Sequence, residues 1–172
     1  PDSITYSAAT SACEKGAQWQ QALVVLSDMQ LRRSEPNVVV YNAATSACEK
    51  CAQWLEALRM LLTMRLCRLE PDVITYNAAI SACEKSQQWQ QALRLFSDME
   101  ICGMERTVIT CEVGIQSCEK GAQWQEALGV MSEMLLRRLT PDVVTYTNVI
   151  SACQKASRWY ETFGLFHDLN FE

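Results

Sequence analysis

All five lysines of the chain, Lys15, Lys50, Lys85, Lys120 and Lys155, stand 35 residues apart. Eleven residues before each comes a β-branched apolar residue: Ile4, Val39, Ile74, Ile109 and Val144. Eight residues before each lysine stands a residue that changes from copy to copy within an otherwise constant phrase, namely Ser7, Asn42, Asn77, Glu112 and Thr147. A second variable polar position opens each copy as Asp2, Asn37, Asp72, Thr107 and Asp142. A cation, an apolar surface and a short hydrogen-bonding side chain, repeated in register, suit the binding of an extended polymer one element at a time.

Bond-making chemistry finds no comparable set. His167, the single histidine, lies late in a helical pattern beside Asp168 and has no partner for acid–base work. Cys48 and Cys51 form a C-x-x-C, but Gly16, Ser86, Gly121 and Ala156 replace Cys51 elsewhere and no second pair completes a zinc or redox site. The expectation is a binding protein without catalysis, metal or cofactor. Of nine cysteines, Cys13, Cys48, Cys83, Cys118 and Cys153 share one repeat position and are expected in a core. Cys51, Cys67, Cys102 and Cys111 are scattered, which fits a reducing compartment.

The net charge of −5 argues against binding nucleic acid by bulk charge, so a polyanion requires the local basic stripe. No apolar run reaches membrane-spanning length. The chain opens at Pro1 inside the repeated phrase, without signal or transit segment, and is expected to be part of a longer array.

The elements that position these residues follow from a second ladder, Trp19, Trp54, Trp89, Trp124 and Trp159, again at intervals of 35. Units 1–35, 36–70, 71–105, 106–140 and a partial 141–172 make a single repeat array. In SITYSAATSACEK, Tyr6, Ala9 and Cys13 share one helical face. After a break at Gly16, Ser86 or Gly121, Trp19, Ala22, Leu23, Leu26 and Met29 form the apolar face of a second helix, with the Trp on its buried side. Pro36, Pro71 and Pro141 end that helix, and the Asn37, Asp72 or Asp142 that follows suits the next N-cap. The expected architecture is all-α, helix–turn–helix repeats stacked as a solenoid.

At about 100° per residue, Ile4 and Lys15 fall roughly 20° apart around the first helix, with Ser11 near the same line and Ser7 about 60° aside. The lysines thus draw a line of positive charge along one face. A lysine in the last turn also complements the helix dipole, by about 0.3–1 kcal/mol, and the adjacent Glu14, Glu49, Glu84 and Glu119 soften the field. The boundary residues double as caps. Asn or Thr after the Tyr costs roughly half a kcal/mol against Ala inside a helix, which favours recognition there.

The 35-residue unit, with VITYNAAISACEKSQQWQQALRLFSDM as its fullest copy and a closing Pro-Asp, resembles the pentatricopeptide repeat along the whole chain. The tetratricopeptide pattern fits less well in period, Tyr position and terminal Pro-Asp. The resemblance implies a right-handed α-α superhelical solenoid that binds single-stranded RNA, one nucleotide per repeat, in organellar RNA processing, stabilisation or translation in chloroplast or mitochondrion. It implies that Ile4, Val39, Ile74, Ile109 and Val144 sandwich bases and that Lys15, Lys50, Lys85, Lys120 and Lys155 face phosphates. The residue after the Tyr would read the base edge together with the residue opening the next unit. Ser7 with Asn37 then suggests adenine, Asn42 with Asp72 uracil, Asn77 with Thr107 a pyrimidine and Thr147 a purine. Glu112 with Asp142 matches no common pair, in a unit where Arg106 replaces Pro and Cys111 replaces Tyr. Other RNA-processing proteins are expected as partners; a membrane or small-molecule substrate is not. The competing readings are a protein-binding helical scaffold, favoured by the acidic charge, and the RNA-targeting part of a larger RNA-processing enzyme.

Overall fold

The computed structural model describes residues 2–32, 34, 37–158 and 160; Pro36, Trp159, His167 and Asp168 lie outside them. Among the described residues the chain forms nine α-helices of thirteen residues each and no strand. The first helix of each repeat is α1 (Ser3–Lys15), α3 (Val38–Lys50), α5 (Val73–Lys85), α7 (Val108–Lys120) or α9 (Val143–Lys155). The second is α2 (Trp19–Leu31), α4 (Trp54–Leu66), α6 (Trp89–Ile101) or α8 (Trp124–Leu136).

Side-chain caps fix where the first helices start. Asp2, Asn37, Asp72, Thr107 and Asp142 each accept the backbone N–H of the third helical residue, satisfying a donor the helix cannot. At Asp72 and Thr107 the Thr three residues on returns a bond to the cap backbone, closing a capping box. The first helices end on their lysines, but the chain reverses one residue later than the glycine pattern suggests. Gly16 keeps φ −82°, closing its N–H on Ala12 O, and the left-handed residue is the next one. Ala17, Ala52, Gln87, Ala122 and Ser157 have φ of 50°, 53°, 60°, 51° and 57°. The turns after α1, α3, α7 and α9 are closed as in Gln18 N–H to Cys13 O, 2.8 Å, or Gln123 N–H to Cys118 O, 2.8 Å, the bond that spans a helix C-terminus.

The residues gather into two compact units, Pro1–Ser86 and Gln87–Glu172. In the first unit α1, α3 and α5 lie side by side, and α2 and α4 each lean on the first helices that flank them. Ala44, Ala47, Cys48, Ala79, Ala82 and Cys83 are fully buried, and their small side chains let the helix backbones approach closely. Tyr41, Met29 and Met64 fill the wider space toward the second helices. In the second unit α7 packs on α6, α8 and α9, around Phe96, Met99, Ile115, Cys118, Met131, Met134 and Val149.

The cysteine position is core, as expected: Cys48, Cys83, Cys118 and Cys153 are buried and Cys13 is half-buried. Burial raises the thiols of Cys48, Cys83 and Cys118 to about 12, so none is a reactive thiolate. The Trp ladder is less buried than its spacing predicts. Trp19, Trp54, Trp89 and Trp124 are half-buried, because each is the first residue of its helix, directly after the short turn that joins the helix pair. Trp89 rests instead on the next repeat, where a Cβ on Gly121 would stand 2.6 Å from its ring.

The irregular fourth repeat is repaired by its own Arg106, which reaches into the third repeat. Arg106, in place of Pro, is 7% exposed and lies 3.9 Å over the Phe96 ring. It donates to Phe96 O at 3.1 Å, Glu100 at 2.9 Å and Glu133 at 2.5 Å. Glu133 stands at the repeat position of Asp28, which in the first repeat accepts the Tyr6 hydroxyl at 2.7 Å. Cys111 removes that tyrosine from the fourth repeat, and the Arg106 guanidinium takes over the carboxylate.

Left-handed backbone costs a residue with a Cβ about 1–2 kcal/mol, and glycine escapes that cost. Ala52→Gly and Ala122→Gly should therefore each stabilise the protein by about 0.5–1 kcal/mol, read as a higher urea midpoint at unchanged slope.

Candidate functional site

Within each compact unit the first helices carry an exposed face on which three kinds of repeat position meet. Ile4, Val39, Ile74, Ile109 and Val144 are the second helical residues of α1, α3, α5, α7 and α9, and are 78%, 57%, 59%, 61% and 55% exposed. Large apolar side chains left in water at every copy of one position are not explained by packing. Lys15, Lys50, Lys85, Lys120 and Lys155 close the same helices and are all exposed, so apolar and cationic rows mark the two ends of the face.

Along each helix the residue after the Tyr position lies between them, and the variable residue that opens the repeat caps the helix start. In the first unit Asn42 Nδ2 donates to Asp72 Oδ1 and Oδ2 at 3.2 and 3.0 Å, across two repeats. Thr75 Oγ1 donates to Asn42 Oδ1 and to Asp72 Oδ1, 2.9 Å in the latter case, joining the pair to the α5 capping box. Partial burial raises the Asp72 carboxyl, but hydrogen bonds from Thr75 and Asn42 outweigh it and hold the group below the usual carboxylate range. The residue after the Tyr and the residue opening the next repeat are thus one cluster here.

Ser7 and Asn37 are arranged differently. Ser7 Oγ donates to Ser3 O at 3.0 Å, and Asn37 Nδ2 reaches Ser3 Oγ at 3.2 Å, so Ser3 stands between them. In the second unit Thr147 turns its hydroxyl back onto Val143 O at 2.7 Å. Glu112 and Asp142 bring two carboxylates together. Asp142 is held low by Thr145, whose backbone N–H and hydroxyl donate to it at 2.7 and 2.8 Å. Desolvation, then the charge of Asp142, pushes the Glu112 carboxyl up.

The line of positive charge expected from the lysines is corrected by carboxylates that reach in from the preceding repeat. Lys50 Nζ bonds Glu14 O at 3.1 Å and Glu14 Oε1 at 3.3 Å. Lys85 pairs with Glu49, which also accepts from Ser81 Oγ at 3.1 Å. Lys155 pairs with Glu119 at 2.6 Å, and Ser151 Oγ donates to the same carboxylate at 2.8 Å. Burial opposes the Glu119 charge, but Lys155 and Ser151 lower its carboxyl nonetheless. Lys50, Lys85 and Lys155 are therefore held in ion pairs across repeat boundaries. Lys15 pairs with no carboxylate among the described residues. The signal was in the sequence: the Glu precedes each of the first four lysines, and a stack of 35-residue units sets it beside the lysine 36 positions on.

No group of three or more metal-ligating side chains occurs among the described residues, and Cys51 instead donates its Sγ to Ala17 O at 3.0 Å.

Comparison with known proteins adds the following. The PPR repeat family model matches residues 36–85, 71–120 and 106–155, and the PPR repeat model matches residues 144–170. No curated protein matches the chain by sequence. Among solved structures, it is similar to the pentatricopeptide repeat protein PPR10 from maize, with 24% identity over 99% of this chain and a TM-score of 0.80. It is similar to PPR10 in complex with an 18-nt psaJ RNA element, with 25% identity over 96% of the chain and a TM-score of 0.72. In both it spans 24% of the other protein. The PPR domain of Arabidopsis thaliana protein-only RNase P 1, in complex with tRNA, superposes with a TM-score of 0.81 at 12% identity, over 99% of this chain and 91% of that one.

The Glu112 carboxyl is raised by folding, so its neutral form favours the folded state below the ordinary carboxylate range and that advantage is lost as pH rises through the raised value. Glu112→Gln should accordingly raise the melting temperature at pH 7 and leave it unchanged near pH 3, as measured by thermal denaturation at the two pH values.

Proposed function

The chain belongs to the pentatricopeptide repeat family, and from that premise we propose that it is a sequence-selective module for single-stranded RNA that reads one nucleotide per repeat. The observation that carries this reading is the row of exposed apolar side chains at Ile4, Val39, Ile74, Ile109 and Val144. Its members recur at the spacing of the repeats and give successive bases apolar surfaces to lie between. Base stacking on protein side chains contributes about 1–3 kcal/mol per base and tolerates any sequence. Discrimination then falls to the polar clusters beside the row, of which Asn42 with Asp72 is the most fully formed. The complexes of PPR10 with an RNA element and of the RNase P 1 PPR domain with tRNA support RNA as the ligand of this fold.

Read in order, these residues propose adenine at Ser7 with Asn37, uracil at Asn42 with Asp72 and a purine at Thr147. The module acts by occupying RNA and directing other factors to it, inside a chloroplast or mitochondrion by family resemblance. A second reading, a protein-binding scaffold, draws on Leu31, Leu66, Ile101 and Leu136, which are 83–85% exposed at the last position of the second helices. A gel shift separates the two. The RNA module binds unstructured RNA and not the corresponding duplex; equal affinity for both, or for neither, removes it.

Specificity has its own test. Asn42→Ser with Asp72→Asn copies the Ser7–Asn37 combination into the second repeat, and Asn remains a competent cap at the start of α5. The double variant should change preference from uracil toward adenine at one nucleotide, with stability changed by no more than about 1 kcal/mol. Competition binding between RNAs that differ at that nucleotide checks the outcome, and a change at another nucleotide refutes the pairing.

A further inference from the structure

Three lysines of the basic row are bonded to glutamates of the preceding repeat. Three such clamps are formed within the two compact units: Glu14 to Lys50, Glu49 to Lys85 and Ser81, and Glu119 to Lys155 and Ser151. Each runs from the next-to-last residue of one first helix to the last residue of the first helix after it. Recurrence at equivalent positions makes this a property of the repeat and not a chance surface pair. At Glu49 and Glu119 the serine bond adds a second anchor that holds the carboxylate over the seam.

A lysine held this way presents a reduced net charge to a phosphate. The carboxylate beside it repels the phosphate and offsets part of the ammonium's attraction. We propose that Glu14, Glu49 and Glu119 withhold Lys50, Lys85 and Lys155 from the RNA backbone, so that this array holds its ligand by bases and hardly by charge. The inference rests on the RNA-binding reading above. It reassigns three of the five lysines from phosphate contacts to inter-repeat ties, and makes the three glutamates the residues that set affinity and its dependence on salt. A backbone-indifferent reader discriminates well, since phosphate contacts add affinity for every sequence alike.

The measurement is the slope of log affinity against log salt for the full chain and an unstructured mixed A/U oligoribonucleotide. Each phosphate neutralised on a single strand contributes about 0.7 to that slope, so five phosphate-facing lysines require about 3.5, while three withheld leave at most about 1.4. Glu14→Gln with Glu49→Gln should steepen the slope by about 1.4 and raise affinity at low salt by about three- to tenfold. Gln keeps an oxygen for Ser81, so a melting curve is expected to stay close to that of the native chain. Lys50→Gln with Lys85→Gln should leave the native slope where it was.

A native slope near 3.5, a glutamine variant with unchanged slope, or a lysine variant whose slope falls by about 1.4 each overturns the inference and leaves the RNA reading standing. If neither the native chain nor the glutamine variant binds the RNA, the RNA reading fails and this inference fails with it. Binding by the glutamine variant alone supports it.

Discussion

Everything on the exposed face depends on how closely consecutive first helices approach. Alanine and cysteine occupy the seam at Ala44, Ala47 and Cys48 and again at Ala79, Ala82 and Cys83, all without solvent exposure. A larger side chain there would push neighbouring helices apart. The clamp from Glu49 to Lys85 and the bonds from Asn42 to Asp72 both bridge that same gap, at opposite ends of the helices. Small side chains in the middle thus set the distances that polar groups use at the ends. The buried cysteines serve this packing role with thiols pushed up to about 12, which keeps them inert.

Capping and reading share the same atoms. Asp72 begins α5 by accepting from Thr75, and its carboxylate also takes both bonds from Asn42. A residue that opens a helix cannot move far, so the pair is held before any ligand arrives, and little ordering remains to be done on binding. The fourth repeat shows the opposite case. Glu112 beside Asp142 sets two like charges where the second repeat has a donor and an acceptor.

Much of this was legible in the sequence because a period of 35 repeats every signal several times. Helix starts followed from Asp2, Asn37, Asp72, Thr107 and Asp142, and the exposed row from the angle between Ile4 and Lys15. Three features were not legible in the same way. The turn after each first helix falls on Ala17 or Ala52 and not on the glycine position, because hydrogen bonding at the helix end and not residue preference decides which residue turns left-handed. The Trp ladder was placed too deep, since periodicity reports the face of a helix and not how near its end a residue stands. The lysine line was seen as charge, but its partners sit on another repeat, and angles around a single helix carry no information across that boundary.

The irregularities between the third and fourth repeats have a consequence for how such arrays can be rearranged. Phe96 stands where Leu26, Leu61 and Met131 stand elsewhere, and its ring lies so near Gly114 that a Cβ there would come within 2.9 Å. Arg106 covers the other side of that ring while holding Glu133. Cut between α6 and α7 and rejoined to a repeat ending in leucine, the fourth repeat would face a void at Gly114 and an arginine with nothing to cover. Exchanging either repeat alone would break these contacts, so in a redesign of the array the third and fourth repeats are moved together, as seventy residues and not thirty-five.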